Sequence, residues 1–262
     1  MSEFIIEVKQ LSLNFNEVEV LRNVSFELKR GDWLTIIGHN GSGKTSLLKS
    51  ILGFHQQAVG EIFFDSKSLH SLNRQDLAKL MSYVPQKPPS DLDMSVIDFL
   101  FLARYPYRDD FERRIRDKIV VEEVVQDLAL EKLRERTFSQ LSGGEQQKVM
   151  IAAALIQETP ILLLDEPGAF LDPCFRATTL GHLKKICKLK NITVLEVSHD
   201  INTTSTLADR FIALKSGEII FDLKIEALLS KMILEQIYDQ TFEILHDEKL
   251  QLKAALPTGG RE

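Results

Sequence analysis

Residues Gly38-His39-Asn40-Gly41-Ser42-Gly43-Lys44-Thr45 constrain this chain more than any other stretch. They satisfy G-x-x-x-x-G-K-[ST] at every fixed position, the spacing of a loop that wraps the phosphates of a nucleotide. The flanks fit. Trp33-Leu34-Thr35-Ile36-Ile37 reads as a buried strand, and Ser46 to Leu52 as the first turns of a helix. The residue types follow from the chemistry. Glycines at 38, 41 and 43 let the backbone take positive φ and turn its N–H groups inward as an anion nest. The helix that begins there adds its positive end. The Lys44 ammonium then reaches the β- and γ-phosphates, and the Thr45 hydroxyl can ligate Mg²⁺. A chance Lys-Thr after a glycine-rich turn is the plain alternative, and the flanking strand and helix count against it.

A phosphate loop implies a parallel sheet covered by helices, and the remaining runs agree. Ile161-Leu162-Leu163-Leu164 is fully apolar, as a strand buried on both faces must be. Ile192 to Val197 and Phe211 to Leu214 read as further strands, and Gly217 to Phe221 closes a hairpin. Before the loop, Ile5 to Val8, Leu11 to Phe15 and Val24 to Leu28 read as short strands separated by turns; Gly60 to Phe64 and Leu80 to Val84 follow it. From Lys87 the pattern changes. Pro88-Pro89 opens a loop, and Val121, Val124, Val125 and Leu128 share one helical face. Residues 87–145 are therefore expected to form a helical insertion. The core resumes with an alanine-rich helix from Glu145 to Gln157. Residues 226–262 read as a charged tail with helical stretches and a disordered end from Pro257 to Glu262.

Two further motifs carry chemistry. The apolar strand runs into Asp165-Glu166-Pro167, and a carboxylate at the end of a core strand in a phosphate-loop fold sits on the metal side. Glu166 is then placed to polarise an attacking water, a general-base task worth ~10²–10⁴ in rate. Leu141-Ser142-Gly143-Gly144-Glu145 heads the alanine-rich helix. Ser142 suits the N-cap, and Gly143 and Gly144 leave backbone N–H groups open for a second phosphate contact.

Taken together, the phosphate loop, Gln86, Leu-Ser-Gly-Gly-Glu, Asp165-Glu166 and Val197-Ser198-His199-Asp200 resemble the ATP-binding cassette ATPases in order and rough spacing. The resemblance covers about the first 225 residues. It implies an α/β phosphate-loop NTPase (RecA-like) core with an antiparallel β subdomain and an inserted α-helical subdomain. It also implies two ATP molecules with Mg²⁺ held in a head-to-tail dimer, each between one copy's Gly38-to-Ser46 segment and the other copy's Ser142-Gly143-Gly144. By the same resemblance Gln86 senses Mg²⁺ and the attacking water, His199 contacts the γ-phosphate, and Phe15 stacks on adenine. Stacking of that kind is worth ~1–3 kcal/mol. Two positions depart from the family pattern. Gly168-Ala169-Phe170-Leu171-Asp172 replaces Thr-Ser-x-Leu-Asp, which removes two hydroxyls, and His39 stands where proline is frequent, at a position expected to tolerate it.

Within the helical insertion, Met94 to Leu100 and Ala103-Arg104-Tyr105-Pro106-Tyr107 are similar to a segment of importers for iron-siderophores, haem and cobalamin. That similarity implies a membrane permease as partner, an extracellular substrate-binding protein beyond it, and a place at the cytoplasmic face of the membrane. The alternative is a soluble cassette ATPase such as one serving iron–sulfur assembly, against which Arg104-Tyr105-Pro106 is the main argument. Composition narrows the field further. A net charge of −6 disfavours nucleic acid as partner, and the longest apolar run, Val149 to Ile156, is far short of the ~20 residues of a membrane-spanning helix. Two cysteines, Cys174 and Cys187, fit a reduced compartment rather than a disulfide framework.

Overall fold

The computed structural model describes residues 3–89, 91–108, 113–247 and 252–259. The chain divides into two compact units, unit 1 of Met1–Ser71 with Leu195–Glu262, and unit 2 of Leu72–Val194. Unit 1 opens with β1 (Phe4–Phe15) and β2 (Val18–Lys29), which pair antiparallel. The sequence suggests two strands in place of β1. They are one strand because irregularities between Val8 and Leu13, with Gln10 at φ 50°, absorb the break in alternation. The all-buried β3 (Trp33–Ile37) follows, then α1 (Lys44–Ile51), β4 (Val59–Phe64) and the short β5 (Lys67–Ser68). Strands in the order β2-β1-β4-β5 make the antiparallel sheet that the sequence leads one to expect.

Unit 2 begins with α2 (Arg74–Leu80), whose N-cap Asn73 accepts from the Asp76 N–H, and β6 (Met81–Val84). The stretch expected to be helical holds α3 (Val96–Leu102) and α4 (Arg113–Asp127), with short 3₁₀ turns between and after them. Ser90 and residues 109–112 lie outside the described residues. Then come α5 (Gly143–Ile156), β7 (Ile161–Asp165) and α6 (Pro173–Lys190), capped by Asp172 and ended by Asn191 in the left-handed region. β6 and β7 pair in parallel, Val84 opposite Leu164. Val121, Val124, Val125 and Leu128 are all buried, as their spacing suggests.

The chain returns to unit 1 along β8 (Thr193–Val197), followed by α7 (Ile201–Leu207), β9 (Arg210–Lys215) and β10 (Glu218–Lys224). Here the strands run β10-β9-β3-β8, and β9 pairs with β3 in parallel, Ile37 opposite Ala213. The C-terminal stretch differs from a tail. It forms α8 (Lys231–Tyr238), β11 (Phe242–Asp247) and β12 (Leu252–Pro257). Leu228, Ile233, Leu234, Ile237, Phe242 and Ala255 are buried in one cluster with Ile37, Phe211 and Ala213. Among the described residues of the stretch the charged ones are exposed or half-buried, and these six apolar residues are core while Met232, Leu245 and Leu256 are exposed. Residues 260–262 of the expected disordered end lie outside the described residues.

Candidate functional site

The phosphate loop runs from β3 to α1 in unit 1. Gly38, Gly41 and Gly43 have φ of 148°, 81° and 101°. At two of them space is as decisive as the angle. A Cβ on Gly38 would come within 2.1 Å of the Leu214 carbonyl oxygen, and one on Gly43 within 2.8 Å of that of Val20. No side chain caps α1 at Gly43, so its first N–H groups keep the anion-binding role. Lys44 is buried, and its Nζ donates to the carbonyl oxygens of Gly38 and His39, both at 2.8 Å. Two of its three donors are thus spent on the loop itself, which fixes where the ammonium sits.

Two other expected residues belong to unit 1. Phe15 ends β1, is 39% exposed, and meets His55 edge to face at 5.1 Å. Sequence reasoning passed over His55, whose pKa is lowered by burial and then by Lys49. His199 follows β8 and is exposed. Its neighbours are anchored: the Ser198 N–H donates to the Ile36 carbonyl, and Asp200 caps α7 by accepting from the Thr203 N–H. The strand feeding His199 therefore adjoins the strand feeding the phosphate loop.

In unit 2, β7 ends at Asp165, which is 2% exposed. Tyr83 Oη approaches Asp165 Oδ2 at 3.4 Å, and the phenol pKa is raised by burial and then by that carboxylate. Glu166, a non-glycine residue, is held at φ 50°. Strain of this kind persists only where the surroundings over-determine it, and it clusters at functional sites. Gln86 Nε2 donates to Glu166 Oε2 at 2.7 Å, so the two residues that the sequence links by role are in direct contact. Ser142 caps α5 through a capping box. Its Oγ accepts from the Glu145 N–H, while the Glu145 carboxylate accepts from the Ser142 N–H at 2.8 Å and is held below its usual pKa, first by that backbone bond. Gly143 and Gly144 pack against Phe170 and Leu171.

The departure at Gly168 has a local reason. A Cβ there would meet Arg176 Cδ at 2.9 Å, so the glycine makes room for the guanidinium, which donates from Nη2 to the Leu171 carbonyl.

The residues expected to face a metal all carry hard oxygen donors: the Thr45 hydroxyl in unit 1, and the Asp165 carboxylate and Gln86 amide in unit 2. No group of three or more His, Cys, Asp or Glu among the described residues could cage an ion. Oxygens of this kind, with phosphates, suit Mg²⁺ or another hard cation and do not suit a metal that needs thiolate or imidazole.

The sequence profile of the family described as ABC transporter matches residues 21–169, more than half of the chain. The chain belongs to the ABC transporter family. This cassette is 29% identical to the iron(3+)-hydroxamate import ATP-binding protein of Bacillus subtilis, over 93% of this chain and 91% of that one. It is also 29% identical to the ferric enterobactin transport ATP-binding protein of Escherichia coli, over 99% and 97%. Among solved structures, an ATP-binding cassette in a dimeric post-hydrolysis state with ADP and Pi matches with a TM-score of 0.73 at 28% identity, covering 84% of this chain and 98% of that one. The cassette has the phosphate-loop NTPase fold and is an ATPase. No helix among its described residues is long and apolar enough to cross a membrane.

Proposed function

We propose that this cassette hydrolyses ATP as the motor subunit of an importer for a metal chelate, of the iron-siderophore, haem or cobalamin kind. One observation carries the reading. Two relatives named for uptake of iron(3+)-hydroxamate and ferric enterobactin match nearly the whole chain, each over most of its own length. The Arg104-Tyr105-Pro106-Tyr107 segment lends support. Arg104 is 3% exposed and bonds to Asp117 at 2.6 Å and Glu158 at 3.0 Å, with its guanidinium over the Tyr107 ring at 4.4 Å. Such a hub holds the segment rigid and leaves Tyr105 60% exposed for a partner.

Each residue then has a task. Lys44 and the N–H groups of the loop bind the β- and γ-phosphates, and Phe15 stacks on the base. Thr45, Asp165 and Gln86 would hold Mg²⁺, which supplies charge neutralisation of the phosphates when bound. Glu166 takes a proton from the attacking water as the Pγ–O bond to ADP breaks, with its carboxylate oriented by the Gln86 amide. His199 contacts the γ-phosphate. Ser142, Gly143 and Gly144 of a second copy complete the site, so ATP bridges two chains and its hydrolysis releases them. That cycle drives the permease, which an extracellular substrate-binding protein loads, from the cytoplasmic face of the membrane.

The test is recovery of the tagged protein from native membranes in mild detergent. A polytopic permease recovered with it is the expected result. Soluble partners alone would overturn the importer reading in favour of an assembly-type ATPase.

A further inference from the structure

The sequence treats His39 as an unconstrained position, yet the fold gives it a partner. The His39 ring meets the Tyr238 ring edge to face, with centroids 5.3 Å apart and planes at 73°. Tyr238 is the last residue of α8, and its hydroxyl is buried beside the Gly38 backbone without a well-formed hydrogen bond. The next residue, Asp239, caps the helix in the left-handed region and accepts from Lys215 Nζ at 2.7 Å. The same ammonium donates to the Gln236 carbonyl at 2.8 Å. Lys215 directly follows Leu214, whose carbonyl oxygen crowds Gly38. Gly38 and His39 are thus gripped from two sides, by the end of β9 and by the end of α8, and those two ends are tied to each other.

Gly38 and His39 are also the residues whose carbonyls hold Lys44 Nζ. A side chain at 238 can therefore act on the ammonium through one intervening residue. We infer that the C-terminal segment, through Tyr238 on His39, positions the phosphate loop and sets how tightly it holds ATP. Tyr238 is a positioning residue and touches no reacting atom. Part of the ordering that ATP binding requires is done in advance by this contact, so affinity rests on it and the chemical step does not.

The inference rests on reading Gly38 to Ser46 as the ATP phosphate site. The experiment compares Tyr238→Leu, His39→Ala, the double variant and Tyr238→Phe in the full chain. Binding is read by calorimetry with a non-hydrolysable ATP analogue and Mg²⁺, and turnover by phosphate release. Tyr238→Leu and His39→Ala should each raise Kd and KM about three- to tenfold, the size of an aromatic pair. For Tyr238→Leu the value of kcat at saturating ATP should stay within about twofold. The double variant should be no worse than either single one, since one contact cannot be lost twice, and Tyr238→Phe, which keeps the ring, should bind as wild type does. Unchanged Kd in Tyr238→Leu, or additive effects in the double variant, would overturn the inference. So would a fall in kcat matched by a fall in melting temperature. Lys44→Ala separates the two readings. If it still binds the analogue, the phosphate-site assignment fails; if it does not bind while Tyr238→Leu binds normally, only the role of Tyr238 fails.

Discussion

Glu166 combines a left-handed backbone with a short bond from Gln86, and both serve to aim one carboxylate. Glu166→Gln keeps the size of the side chain and removes its basicity. It should bind ATP with about wild-type affinity, hydrolyse it at least ~10²-fold more slowly, and run as a dimer on gel filtration with ATP. Near-wild-type turnover in that variant would remove Glu166 as the base. A second carboxylate matters for a different reason. Glu196 is buried in β8, where Trp33 Nε1 and Thr35 Oγ1 both donate to its Oε2, at 2.8 and 3.1 Å. Burial raises its pKa from 4.5 to about 7; the two donors oppose that rise and the charge on Asp200 adds to it. The sign follows from proton counting. The folded chain holds this proton up to near neutrality and the unfolded chain releases it near 4.5, so stability is greatest below that value and falls as pH rises towards 7. Over that window the loss is on the order of 3 kcal/mol. Glu196→Gln should flatten that component, seen as a urea midpoint that changes less between pH 5 and pH 8 than in wild type.

At the scale of elements, what could be read in advance was what local sequence encodes. Strand β3, the glycine loop, the capping box of α5 and the apolar β7 all carry their signals within a few residues. The rest lay in partners distant in sequence. Tyr83 finds Asp165 across 82 positions, and Trp33 finds Glu196 across 163. The C-terminal stretch misled because α8 and the β11–β12 hairpin are short and amphipathic, so no long apolar run announces them although each contributes buried residues to the core. Arg104 shows the same principle in unit 2. The motif marks it as notable, and only the fold shows it bonding to Asp117, Glu158 and the Ile156 carbonyl. Arg104→Ala would take the counter-charge from Asp117 and leave Glu158 to Arg116 alone, at a cost on the order of 2 kcal/mol. Thermal melts should show that loss, and Arg104→Lys should recover only part of it, since an ammonium cannot reproduce the planar fork.

For the molecule as a whole, the residues given roles in the proposal can be placed unit by unit. Unit 1 holds the phosphate loop, Phe15 and His199, and unit 2 holds Gln86, Asp165, Glu166 and the Ser142-Gly143-Gly144 segment. The two units also differ in one practical respect. Trp33 is the chain's single tryptophan, and it is 3% exposed on the strand that leads into the phosphate loop, with its indole N–H on Glu196. Tryptophan emission of this protein is therefore a built-in probe of unit 1 alone. Its emission reports the ionisation of one buried acid and the surroundings of β3, while unit 2, with Tyr83, Tyr105 and Tyr107 but no indole, adds only tyrosine emission.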